Sequence, residues 1–239
     1  MTLPSKNKVP VSEIFSSYQG EGLHMGEPQV FVRFSGCNIK CNYCDTKHAL
    51  KVCKQTEYMD VDSIIKKVSS VYKEDKEIFI FGKPCVALTG GEPLIHFKIL
   101  KDLIVKLKKA NFKIYLETNG TLPKNLKEII EYIDVVSMDF KFESECKKSF
   151  WKEHKEFLEI ASNKVFVKCI ITSKTSNNEI KMSARIIRQI DSKISLILQP
   201  TTDFNIPKII DIYKFHLIAK KIIPNVFLMF QMHKIFKIR

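Results

Sequence analysis

Apolar positions along the chain follow two alternating rhythms. Short apolar runs closed by glycine or polar clusters read as strands, and apolar residues spaced by three and four read as amphipathic helices. Gln29–Ser35 is a strand of this kind, and a cysteine-bearing loop follows it. Val61, Ile64, Ile65, Val68 and Tyr72 predict a helix, with Asp60 or Asp62 as its N-cap. Cys85–Thr89 predicts a strand ending in Gly90-Gly91, and Leu100, Leu103, Ile104 and Leu107 the next helix. Lys113–Glu117 (strand), Leu126, Ile129, Ile130 and Ile133 (helix) and Val135–Phe140 (strand) continue the series. Phe150, Trp151, His154, Phe157 and Leu158 then give a helix before the strand Val165–Ile171. A helix near 179–190, a strand at 195–199, a helix near 207–221 and a strand at 226–231 complete it.

Six or seven β-then-α units with apolar strands predict an α/β protein, its parallel sheet covered by helices. An open doubly wound sheet and a full or partial (β/α) barrel both satisfy this pattern. No GxGxxG follows the first strand, which weakens the dinucleotide-binding form. In either architecture ligands sit at the carboxyl ends of the strands. Those ends carry Gly36-Cys37, Thr89-Gly90-Gly91-Glu92-Pro93, Glu117-Thr118-Asn119-Gly120, Asp139-Phe140-Lys141 and Gln199-Pro200-Thr201-Thr202. Five polar or glycine-rich segments in register predict a site.

At 239 residues, the chain is long enough for one α/β domain with a full core. The net charge of +13 invites a nucleic-acid reading, but only four of the 39 basic residues are arginine. Dispersed lysines are more simply a solvated face, so neither nucleic acid nor membrane is expected as a partner. The opening residues carry no apolar leader, and a cytoplasmic location is expected.

Seven cysteines, an odd number, argue against a disulfide framework. Cys85 and Cys169 lie in apolar runs and are expected as small buried hydrophobes, while Cys53 and Cys146 receive no role. Cys37, Cys41 and Cys44 fall on one loop with CxxxCxxC spacing. A structural zinc site wants four ligands, usually in two pairs; no second pair exists, and His48 would be a cramped fourth ligand. Three thiolates suit a 4Fe–4S cubane with one iron left open, which at this spacing most often takes S-adenosylmethionine.

The triad, its place after the first predicted strand and the Gly90-Gly91-Glu92-Pro93 loop resemble the radical S-adenosylmethionine superfamily. Within it, Glu13-Ile14-Phe15, Tyr18-Gln19-Gly20-Glu21-Gly22, Gly26, Phe31-Val32-Arg33, Gly36-Cys37-Asn38 and Cys44-Asp45-Thr46 resemble the 7-carboxy-7-deazaguanine synthases. So do Glu117-Thr118-Asn119-Gly120-Thr121, Gln199-Pro200 and Gln231-x-His233-Lys234. The resemblance runs from about Val11 to Arg239. It implies one radical SAM domain over 1–239, a partial barrel of about six parallel strands. Residues 37–46 would form its cluster loop, and a strand and tail at 225–239 would close the substrate site.

The implied reaction turns 6-carboxy-5,6,7,8-tetrahydropterin into 7-carboxy-7-deazaguanine with loss of ammonia, in queuosine-type biosynthesis. Its cofactors would be a 4Fe–4S cluster on Cys37, Cys41 and Cys44, S-adenosylmethionine as the source of a 5′-deoxyadenosyl radical, and Mg²⁺ on Thr46. By the same resemblance Tyr18, Gln19, Gly20, Glu21, Arg33, Thr89, His233 and the terminal carboxylate of Arg239 would contact substrate. Tyr43, Gly91, Glu117, Asn119, Ser137, Met138, Asp139, Lys141, Gln199, Pro200, Thr201 and Thr202 would surround S-adenosylmethionine. A homodimer and a flavodoxin- or ferredoxin-like electron donor are also implied. Ser137-Met138-Asp139-Phe140-Lys141 departs from a tighter Ser-Pro-Lys pattern in that family, which weakens the contacts assigned to Met138–Lys141. The rival readings are a glycyl-radical-activating enzyme and a zinc-stabilised basic nucleic-acid-binding protein.

Overall fold

The computed structural model describes residues 7–54, 56–80, 82–161, 163–202 and 209–236. Nine strands make one sheet: β1 (Val9–Tyr18), β2 (Pro28–Phe34), β3 (Glu57–Met59), β4 (Cys85–Gly90), β5 (Lys113–Thr118), β6 (Val135–Phe140), β7 (Val165–Ile171), β8 (Leu196–Pro200) and β9 (Val226–Leu228). Among the described residues there are also eight α-helices, seven between strands and the last after β9: α1 (Val61–Glu74), α2 (Phe97–Lys109), α3 (Pro123–Lys127), α4 (Glu143–Cys146), α5 (Trp151–Ala161), α6 (Asn177–Ile190), α7 (Ile209–Lys220) and α8 (Met232–Phe236).

The sheet order is β3-β1-β2-β4-β5-β6-β7-β8-β9. β2 and β4 to β9 are parallel neighbours that follow chain order without reversal, while β3 returns to the edge beside β1. Right-handed crossovers that always step the same way put the connecting helices on one face. A doubly wound sheet needs a reversal, so this is the partial barrel. It ends at β3 on one side and β9 on the other, and does not close among the described residues.

Strand parity divides the side chains between the two faces. Leu88, Leu116, Met138, Val167 and Leu198 join the large core beneath the helices. Phe15, Phe31, Ala87, Tyr115, Phe166 and Ile197 form a smaller cluster on the concave face. The helices dock by amphipathic stripes; α1 buries Ile64, Val68 and Val71, and its cap is the Asp60 carboxylate accepting from Ser63 N at 2.8 Å. Ser176 and Glu179 make a reciprocal capping box at the start of α6.

Several expectations are corrected. β1, antiparallel to β2, and β3, antiparallel to β1, flank the parallel set at one edge and were not anticipated. A register shift in β1 between Val11 and Glu13 breaks its alternation, which hides the strand from a period-two pattern. The stripe at Leu126–Ile133 is not one helix, but the five-residue α3 followed by a 3₁₀ turn. β9 stops at Leu228 instead of reaching Gln231. Cys169 is fully buried as expected, but Cys85 is only partly covered, at the edge of the concave cluster. No described helix is long and apolar enough to cross a membrane.

Candidate active site

The carboxyl ends of the parallel strands open onto a cavity of about 750 Å³. The loop after β2 lines it with Cys37, Cys41, Tyr43, Cys44 and Thr46, and segments before and after that loop in sequence line it with Gln19–Glu21, Arg33, Gln231 and His233. Tyr18, Thr89, Gly91, Glu117, Asn119, Ser137, Asp139, Lys141 and Thr201 complete the lining.

The cysteine loop is anchored by the glycine loop after β4. Gly36 N donates to Ala49 O at 2.8 Å, and Glu92 N donates to Gly36 O at the same distance. A Cβ on Gly91 would stand 2.1 Å from Gly36 O, so only glycine permits this approach. Glu92 itself is wholly buried, yet its carboxylate is well occupied. It accepts from Leu94 N at 3.0 Å, Thr118 Oγ1 at 2.9 Å and Asn119 N at 2.7 Å, tying the β4 and β5 loops together. Burial outweighs those bonds and pushes its pKa up to about 7.

The three loop thiols differ. Burial raises Cys37 and Cys44, whereas a hydrogen bond from Cys146 brings Cys41 down to about 7. The Sγ atoms of Cys41 and Cys146 lie 3.1 Å apart. His48 does not approach as a fourth ligand; it faces Glu13 at 3.4 Å.

Around Gln19–Glu21, Gln19 Nε2 donates to Glu117 Oε1 at 2.9 Å, and Thr89 Oγ1 to Glu117 Oε2 at 2.5 Å. Arg33 Nε is held by Glu13 Oε1 at 2.6 Å, which turns the guanidinium along the cavity over Phe15. Glu21 is fixed by Gln231 Nε2 at 2.8 Å and by Lys168, whose side chain is only 5% exposed. Burial would raise the Glu21 pKa, but Lys168 wins and lowers it. Asp45 is lowered in the same way, Lys234 at 3.4 Å outweighing burial. Asp139 lies between two lysines, 2.8 Å from Lys141 and 3.5 Å from Lys168. Asp139 keeps both ammonium groups charged against their burial, and Lys141 Nζ sits 5.3 Å from the Tyr43 ring centre.

Of the residues expected at the site, four described ones do not line the cavity. Met138 is buried among the helices, since Ser137 and Asp139 take the concave face of β6 and the residue between them must take the other. Gln199 lies on the concave side of β8, wholly buried, with neither amide atom hydrogen-bonded among the described residues. Pro200 and Thr202 sit behind the wall, Thr202 Oγ1 donating to Gln231 Oε1 at 3.2 Å. Arg239 lies outside the described residues. Lys168, Asp45 and Cys146 were not anticipated: Lys168 sits in an apolar strand run, and the contact with Cys146 spans 105 residues of chain.

A Radical SAM superfamily model matches residues 31–174, more than half of the chain. A 7-carboxy-7-deazaguanine synthase from Geobacter sulfurreducens is 33% identical over 83% of this chain and 84% of its own length. The chain belongs to the 7-carboxy-7-deazaguanine synthase family of radical SAM enzymes. A member from Methanopyrus kandleri is 36% identical, covering 80% of this chain and 81% of its own. Among solved structures, QueE from Escherichia coli shares the fold at a TM-score of 0.65 and 20% identity, over 95% of both chains.

The family's cofactors are a 4Fe–4S cluster and S-adenosylmethionine, and the donor set fits them. Three soft thiols line one cavity, which leaves one iron of a cubane for a small molecule. In the same cavity, the Glu117 and Asp139 carboxylates and the Lys141 ammonium give the lining both signs of charge that a zwitterionic ligand needs.

Proposed function

We propose that this enzyme converts 6-carboxy-5,6,7,8-tetrahydropterin into 7-carboxy-7-deazaguanine with release of ammonia, within deazapurine biosynthesis. One observation carries the reading: the cysteine triad and the Gln19–Glu21 and Arg33 group line a single cavity. When bound, the cluster and S-adenosylmethionine supply a hydrogen-abstracting radical.

The chain's own residues bind, orient and exclude water. Glu21, ionised by Lys168, accepts N–H donors from the guanine-like edge of the substrate, together with Gln19 and backbone groups of Tyr18 and Gly20. Arg33, pinned at Nε, offers its remaining donors to the substrate carboxylate. Thr89 and His233 complete that pocket, and Arg239 would reach it from the tail. On the cofactor side Tyr43, Gly91, Glu117, Asn119, Ser137, Asp139, Lys141 and Thr201 surround S-adenosylmethionine.

Oxygen donors support a place for Mg²⁺. Ligand atoms of Glu21, Asp45 and His233 lie within 4.8 Å of one another, and Thr46 Oγ1 is 3.0 Å from Asp45. Mg²⁺ takes few protein oxygens and fills its octahedron with water and substrate, which suits this group. Exposed Phe227, Leu228 and Phe230 at the β9 edge support a homodimer. Exposed Lys40, Lys47, Lys147 and Lys148 beside the cluster loop suit an acidic flavodoxin- or ferredoxin-like donor. Seven free thiols fit a reducing, cytoplasmic setting.

The test is anaerobic turnover with reductant, S-adenosylmethionine and the carboxy-tetrahydropterin, read by mass spectrometry. Deazaguanine product is expected. Cofactor cleavage without product would reject this substrate while keeping the radical chemistry.

A further inference from the structure

Cys146 closes α4, and its sulfur meets that of Cys41 at 3.1 Å across 105 residues of chain. The contact has its own framework. Asn42 N donates to Glu145 O at 3.3 Å, which pins the cluster loop to the end of α4. Glu145 is itself buried and accepts from Thr172 Oγ1 at 2.7 Å, so α4 is fastened to the end of β7. Lys147 then turns the chain away in a left-handed conformation (φ 56°).

A thiol that touches a cluster-ligating sulfur has one proton to give and an electron-rich acceptor in front of it. Such a bond draws charge off the sulfur and favours the reduced, more negative cluster. We propose that Cys146 is a positioning residue that donates its S–H to the Cys41 sulfur and raises the cluster's reduction potential, without ligating iron. This rests on the cluster reading of the triad and not on the identity of the substrate.

The test uses reconstituted wild type, Cys146→Ala and Cys146→Ser, with iron and sulfide assayed per chain and the potential followed by an EPR-monitored redox titration. Full iron and sulfide are expected in all three. The alanine variant's potential moves to more negative values, and serine, which restores a donor, brings it back toward wild type. An unchanged potential in the alanine variant overturns the proposal. So does loss of iron in that variant, which would make Cys146 a ligand or a scaffold, or a serine variant as negative as alanine. Wild type without sulfide would instead reject the cluster itself, so the two failures are distinguishable.

Discussion

The His233 side chain fills the space that a side chain on Gly20 would need. A Cβ built on Gly20 would stand 2.4 Å from His233 Nδ1 and 2.7 Å from its Cβ, while Met232 N donates to Gly20 O at 2.9 Å. The N-terminal wall and the C-terminal tail are thereby one unit. The clash reaches the His233 Cβ, so rotation of the ring alone does not relieve it, and Gly20→Ala must push the tail off the wall.

Gly20→Ala is therefore expected to raise the KM for the pterin about tenfold, roughly 1.4 kcal/mol of lost binding, with iron content unchanged. Steady-state kinetics with cluster quantification checks this. An unaltered KM would show that the tail does not cover the substrate.

Lys168 reaches both sides of the cavity, pairing with Glu21 on the substrate wall and with Asp139 near the cysteine loop. Lys168→Met takes from Glu21 its ion-pair partner and leaves Asp139 with Lys141. Removing one partner of a fully buried pair costs about 3–5 kcal/mol, and access of both carboxylates to the cavity lowers that to about 2 kcal/mol. Denaturant unfolding of the cluster-free protein measures it. The double variant Lys168→Met/Glu21→Gln is expected to recover part of the loss, because the stranded Glu21 charge is then removed.

The parallel strands were legible because both faces of each are buried, so their sequences are continuous apolar runs. The loops at their ends were legible because they gather residue types, Cys37 and Glu117 among them, that filling a core does not require. What was hidden was relational. Met138 looks like a site residue from its neighbours, and only the parity of β6 sends it to the core. Lys168 reads as a stray charge until the sheet brings it to Glu21, and Cys146 reads as idle until α4 folds onto the cluster loop.

The triad predicts a sharp division among the cysteines. Cys37→Ala, Cys41→Ala and Cys44→Ala are each expected to lose the cluster and all cofactor cleavage, since two thiolates do not hold a cubane. Cys53→Ala is expected to keep full iron, its thiol being exposed. Iron and sulfide assays on anaerobic protein decide this; zinc in place of iron would sink the assignment.

Two buried groups pull the pH dependence of stability in opposite directions. His154 is wholly buried, stacked on Phe140 at 4.7 Å, and burial brings its pKa down to about 3. Between that value and its unfolded 6.5, the folded state binds fewer protons than the unfolded one, so His154 makes stability fall as pH drops. Glu92 runs the other way. Its pKa is raised from 4.5 to about 7, the folded state binds more protons in that window, and its contribution is lost as pH rises. Each slope is about 1.4 kcal/mol per pH unit, so the two cancel from roughly pH 4.5 to 6.5. Glu92→Gln removes one of them. The amide meets three donors and lowers stability at every pH, but the diagnostic is the slope. Relative to wild type, the variant is expected to lose about 2.7 kcal/mol more on going from pH 6.5 to 4.5. Denaturant unfolding of both cluster-free proteins across that range reads the difference, and parallel curves would mean that Glu92 is ionised in the folded protein throughout.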